Sequence, residues 1–154
     1  MSIYELKPRF QNLLRPLVRR IYSAGVTANE VTIAACVISV LLGGVLVKFA
    51  DISALFFLLP VWMFLRMALN AIDGMLAREF NQKSPLGGYL NEATDVISDA
   101  ALYLPFAFVA PFGQSVISLV IFLAFMSEFL GVLGQIHGRV RGPTGRERRR
   151  RAQP

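Results

Sequence analysis

Apolar residues in this chain are gathered into blocks of about 20, the length that crosses the hydrocarbon core of a bilayer, rather than into short amphipathic runs. The first block, VTIAACVISVLLGGVLV (31–47), holds no charge before Lys48. A second runs from about Ile52 to Ala77 and ends in the unusual stretch FLRMALNAIDGMLAR. A third starts near Gly88 and ends near Pro111; its first half, YLNEATDVISD, is too polar to face lipid. The fourth, from about Ser115 to His137, carries Glu128. The pattern predicts an all-α polytopic transmembrane helix bundle of about four spans.

Residues 1–24 read differently. Phe10, Leu13, Leu14, Leu17, Val18 and Ile21 recur at steps of three and four, while Lys7, Arg9, Arg15, Arg19 and Arg20 take the other side. Such a helix is amphipathic and cationic, and its place just before a span predicts an interfacial helix at the membrane surface. Gly25 breaks it, and Thr27 or Asn29 can cap the next helix. Arg78 to Gly87 reads as a polar loop, with Pro85 and Gly87-Gly88 as breakers. One domain, 1–137, is expected, followed by a Pro/Gly- and Arg-rich tail, 138–154, with no means of packing.

A net charge of +6 raises the question of nucleic acid, so the positions of the charges matter. Of 16 Lys and Arg, five lie in the first helix, two in the 78–87 loop and seven in the tail, against Lys48 alone on the other side. That asymmetry is an orientation signal: it predicts both termini and the 78–87 loop in the cytoplasm, and no nucleic-acid partner is needed to account for the charge. The lone cysteine, Cys36, lies inside an apolar block and reads as a small core residue.

What remains is polarity inside the membrane, where each charged group needs a partner, a cavity or a task. Arg66, Asn70, Asp73 and Ala77 share one face of the second span; Asn91, Asp95 and Asp99 share one face of the third, with Glu92 at its border. Counting depth at about 1.5 Å per residue puts Asp73 level with Asn91, Asn70 with Asp95, and Arg66 with Asp99. The deepest layer predicts an ion pair of Arg66 with Asp99 or Glu128. The two shallower layers have no cation in reach on these helices, so two carboxylates and two amides point to a bound hard cation, Mg²⁺ or Mn²⁺. The competing reading is a hydrogen-bonded Asn/Asp cluster that fixes helix packing. Gly74, beside Asp73, weakens the helix and clears space for a ligand.

These residues also carry a longer pattern. The stretch Asn70-Ala-Ile-Asp73-Gly74-Met-Leu-Ala77-Arg78, eight further residues, then Gly87-Gly-Tyr-Leu-Asn91-Glu-Ala-Thr-Asp95 resembles the signature of the CDP-alcohol phosphatidyltransferase family. Six of its eight defining positions agree, with the spacing intact, and the segment Thr27-Ala-Asn29-Glu-Val-Thr32 resembles the turn placed before the family's first span. The resemblance implies an enzyme that cuts the diphosphate of a CDP-linked lipid such as CDP-diacylglycerol. The phosphatidyl group passes to an acceptor alcohol, with release of CMP. It implies Asp73 and Asp95 as catalytic carboxylates, Asp95 being the base, and a metal set of Asn70, Asp73, Asn91 and Asp95. Asn29, Thr32, Gly74, Ala77, Arg78, Ser84 and Gly87 would lie against the substrate.

Two departures stand out. Asn70 and Asn91 replace acids, which halves the charge of the site, and Glu92 is placed to return some of it. The family usually has six spans and this chain four, which implies a shortened or truncated member whose open wall a homodimer would cover. The expected setting is a multi-pass integral protein of a bacterial cytoplasmic membrane. A second function follows from the two asparagines: a pseudoenzyme that binds nucleotide or lipid as a membrane scaffold. A third, a transporter with a relay of Arg66, Asp99 and Glu128, explains neither Gly74 nor Arg78.

Overall fold

The computed structural model describes the backbone of residues 3–140 and the side chains of residues 8–134. Five helices form among them and no strand: α1 (Ile3–Ser23), α2 (Ala28–Lys48), α3 (Leu58–Glu79), α4 (Pro85–Tyr103) and α5 (Gln114–Val140). Short 3-10 turns, Ser53–Phe57 and Leu104–Phe108, precede α3 and follow α4. The expected tail lies outside the described residues, except that 138–140 continue α5.

The turn between α1 and α2 is set by local chemistry. Gly25 takes a φ of 81°, a left-handed conformation that glycine reaches without strain. Thr27 then caps α2: its hydroxyl accepts from the Glu30 backbone N–H. The Glu30 carboxylate in turn accepts from the Thr27 N–H at 2.7 Å, which closes a capping box. Of the two candidate caps, Thr27 is therefore the one used, and Asn29 is left free for another role. Replacing Thr27 with alanine should cost about 1 kcal/mol of stability, read as a lowered thermal midpoint in detergent.

The 78–87 region departs from its reading as a broken loop. The loop is shorter, because Ser84 caps α4, its hydroxyl accepting from the Gly87 N–H at 2.9 Å. Pro85 fills the first helical position, where a missing N–H costs nothing, so here proline starts a helix. Gly87 and Gly88 lie inside the first turns of α4.

Three segments are long and apolar enough to cross a membrane: Ala28–Lys48, Ser53–Glu79 and Gln114–Gly134. The chain is a multi-pass integral membrane protein. The fourth helix of the bundle, α4, has 19 residues but fails on composition because one of its faces is polar. Along that helix Thr94, Ser98 and Leu102 are buried against protein, while Asn91 and Glu92 line a cleft.

Two clusters hold the bundle. At the end where α2 begins and α3 finishes, Val18, Ala28, Val31, Ile72, Met75 and Leu76 join α1, α2 and α3. At the opposite end Leu46, Leu59, Trp62 and Leu102 join α2, α3 and α4. Between them Trp62 Nε1 donates to Ser39 Oγ at 2.9 Å, which satisfies a buried indole. The apolar stripe of α1 divides: Val18 is fully buried and Leu14 and Ile21 pack on the core, while Leu13 is 75% exposed and faces outward with Leu17. Helices α2 and α4 approach closely at Gly43, where a Cβ would fall 2.2 Å from the Ala101 carbonyl oxygen. By contrast α5 lies at the edge and exposes Phe122, Leu123, Phe125, Phe129 and Leu130, an apolar surface suited to lipid.

Candidate active site

The starts of α2 and α4 meet the end of α3 around an open cleft of about 590 Å³. From α2 it takes Asn29 and Thr32; from α3, Asn70, Asp73, Gly74, Ala77 and Arg78. The α3–α4 loop contributes Gln82, Lys83 and Ser84, and α4 contributes Gly87, Asn91 and Glu92. Every residue named from the sequence for substrate contact thus lines one cavity, although the set spans 59 positions of the chain from Asn29 to Gly87.

Asp73 is the buried acid of this cleft, only 6% exposed. Its Oδ2 accepts from the Thr32 hydroxyl at 2.8 Å, and the same hydroxyl lies 3.1 Å from the Ala28 carbonyl one turn back on α2. Thr32 therefore fixes one carboxylate oxygen and joins α2 to α3 at the site. Thr32→Val keeps the shape and removes the donor, and should lower turnover about 10- to 100-fold, the usual effect of losing a group that orients a key ligand. Steady-state rates of the variant in lipid would check this.

The two motif glycines have contact reasons. A Cβ on Gly74 would come 2.9 Å from the Arg78 guanidinium, so the missing side chain gives Arg78 room to fold back along its own helix and into the cleft. This sharpens the expectation that Gly74 clears space for a ligand: it clears space for a cationic side chain. A Cβ on Gly87 would meet Asn29 Oδ1 at 2.9 Å and Ser84 Oγ at 3.1 Å, so Gly87 lets the first turns of α4 and α2 approach. Gln82, which the sequence reading passed over, completes the joint by accepting from the Ala28 N–H at 2.7 Å. Its position in the loop between the two motif halves was the available signal.

Asp95 requires a correction. The sequence reading left it without a cation in reach, but Arg66 Nη2 donates to its Oδ1 at 2.7 Å and lies 3.3 Å from its backbone oxygen. The other guanidinium nitrogen donates to Asp99. Asn70 Nδ2 also approaches Asp95 Oδ1, at 3.3 Å, and Asn91 Nδ2 approaches Oδ2 at 3.4 Å. The carboxylate thus collects N–H donors from three side chains and does not line the cleft that Asn70, Asp73 and Asn91 share. Arg66 pairs with both aspartates, and Glu128, the other partner considered for it, sits on the exposed face of α5 beside a small crevice that Asp99 also borders.

Among the described residues no three His, Cys, Asp or Glu side chains converge as a metal cluster. The donor set at the cleft is instead Asp73 with the amides of Asn70 and Asn91, and Asp95 behind. Their oxygens are hard donors of the kind that suits Mg²⁺ or Mn²⁺. The rim favours anions. Arg78 and Lys83 stand on it, and the positive N-terminal ends of α2 and α4 both open toward it, which suits a diphosphate. Farther out, Arg15 of α1 bridges Glu79 of α3 at 2.9 Å on the exposed surface; hydrogen bonding to Glu79 raises the pKa of the Arg15 guanidinium.

The chain is 50% identical over 152 residues to the inner membrane protein YnbA of Escherichia coli, covering 97% of this chain and 75% of that one. It is 34% identical over 128 residues to an uncharacterized protein of Aquifex aeolicus, covering 80% of this chain and 61% of that one. No solved structure matches it significantly. The family model for CDP-alcohol phosphatidyltransferases matches residues 25–141, a span that takes in the capped turn, the cleft and the Arg66 pairs with Asp95 and Asp99. This chain belongs to the CDP-alcohol phosphatidyltransferase family.

Proposed function

We propose that the chain transfers a phosphatidyl group from CDP-diacylglycerol, or a similar CDP-linked lipid alcohol, to an acceptor alcohol, with release of CMP. The observation that carries the reading is the cleft itself. It gathers two segments distant in sequence, buries a carboxylate beside a cationic rim, and opens at one end of the bundle. A nucleotide diphosphate can enter there while its acyl chains stay in lipid. The basic first helix and the 78–87 loop favour the cytoplasmic side for that end, and the name of the Escherichia coli relative favours the inner membrane.

In the reaction the acceptor hydroxyl oxygen bonds to the lipid-bearing phosphorus, the P–O bond to the CMP phosphate breaks, and CMP leaves with that electron pair. A divalent cation held by Asp73 with the oxygens of Asn70 and Asn91 would offset charge on the diphosphate and on the leaving CMP. Arg78 and Lys83 hold the phosphates, and Asn29, Ser84 and Gly87 shape the wall that takes the nucleotide. Asp95 serves as base through Oδ2, the oxygen with only a long contact from Asn91, while Arg66 holds Oδ1.

The test incubates protein in lipid with radiolabelled CDP-diacylglycerol, Mg²⁺ or Mn²⁺, and a panel of alcohols. CMP release that depends on the metal and on one acceptor is the expected result. Retention of CDP-diacylglycerol with no CMP under any condition would instead establish the pseudoenzyme and membrane scaffold.

A further inference from the structure

Asn70 and Asn91 stand where the family signature has acids, and the structure supplies what accompanies their loss. Arg66 lies one turn before Asn70 on α3, and Asp99 one turn after Asp95 on α4. The Arg66 side chain is 10% exposed, and its two terminal nitrogens divide between Asp95, at 2.7 Å, and Asp99. Both amides turn N–H groups toward Asp95 as well. A carboxylate surrounded in this way already has its counter-charge, and a divalent ion brought to Oδ1 would have to displace the guanidinium from a part-buried pair.

We propose that Arg66 is a built-in cation that stands where a divalent ion would otherwise sit at Asp95, so that this site holds a single metal, at Asp73. The charges agree. Arg66 and Asp99 cancel, which leaves Asp73 and Asp95 as the net charge of the group, and one divalent ion neutralises them. A second ion would find amide N–H groups and a guanidinium where it needs anionic oxygen. Arg66 acts through Asp95 and is a positioning residue: it fixes which carboxylate oxygen is free. This inference rests on the metal-dependent reading proposed above, and it adds the number of ions and the residue that sets it.

The test counts ions. The full chain in nanodiscs of zwitterionic lipid is titrated with Mn²⁺, and bound ion is read from loss of the free-Mn²⁺ paramagnetic resonance signal. One Mn²⁺ per chain is expected, and the double variant Asn70→Asp/Asn91→Asp should still bind one while Arg66 is present. Adding Arg66→Gln with Asp99→Asn, which removes the guanidinium together with one of its two carboxylate partners and leaves Asp95 open to an ion, should raise the count to two. Two ions on the unaltered protein overturn the proposal whether or not the variants fold. One ion with no CMP release would leave the ion count standing and defeat the enzymatic reading. No bound Mn²⁺ with CMP release intact would defeat the metal role and this proposal together.

Discussion

Asp73→Ala should abolish CMP release, lowering kcat/KM by on the order of 1,000-fold or more, the scale seen when an electrostatic element of a preorganised site is deleted. Asp73 is the carboxylate that the cleft both buries and opens onto, and Thr32 fixes one of its oxygens. Asp73→Asn separates charge from shape, because it keeps the volume and a partner for Thr32 while removing the anion. It should lose nearly as much activity. Neither change should unfold the protein, since removing a buried charge lifts a desolvation penalty rather than creating one. CMP release and thermal unfolding of both variants would be measured side by side. Activity within tenfold of the unaltered protein in Asp73→Asn would remove this residue from the chemistry.

The second large effect concerns the fold. Gly43→Leu should drive α2 away from α4, because even the Cβ would overlap the Ala101 carbonyl, at 2.2 Å, and the obstruction is backbone that cannot rotate aside. Overpacking of a close interior typically costs about 1–3 kcal/mol, and a rigid obstruction belongs at the upper end. Close contact between helices in lipid depends on small residues, so this site has no substitute geometry. Asn91 and Asp95 ride on α4, and the variant should therefore lose activity along with thermal stability. Gly44→Ala is the matched control: a Cβ there meets nothing within 4 Å, and it should behave as the unaltered chain does. Equal melting behaviour of the two variants in detergent would mean that α2 and α4 are not held at this point.

Much of this was readable beforehand, for reasons that differ by residue. Three of the expected spans follow from apolar length alone; the other, on α4, is too polar to be read that way. The membership of the cleft follows because Asn70, Asp73 and Ala77 on α3, and Gly87 and Asn91 on α4, fall at helical steps, and two helices joined by a short loop must bring such faces together. Pro85 was misread because proline marks both the end and the first position of a helix; only the serine before it tells which. Arg66 was half-read. Counting rise per residue locates backbone, and it put Arg66 level with Asp99 correctly. It says nothing of how far a long guanidinium arm reaches, and here the arm spans a further turn to Asp95. The split of the α1 stripe, with Val18 inside and Leu13 out, was hidden for another reason: an apolar face looks the same whether lipid or protein covers it.

The order in which the cleft is made gives the fold one more property. Its lining begins at Ala28 and is complete at Glu92, and α5 starts at Gln114 without contributing to it. During synthesis every side chain of the site has therefore left the ribosome before α5 emerges. The half of the bundle that holds the cleft can gather as a nascent chain, and α5 then adds to it by packing on α4 and the turn that follows α4.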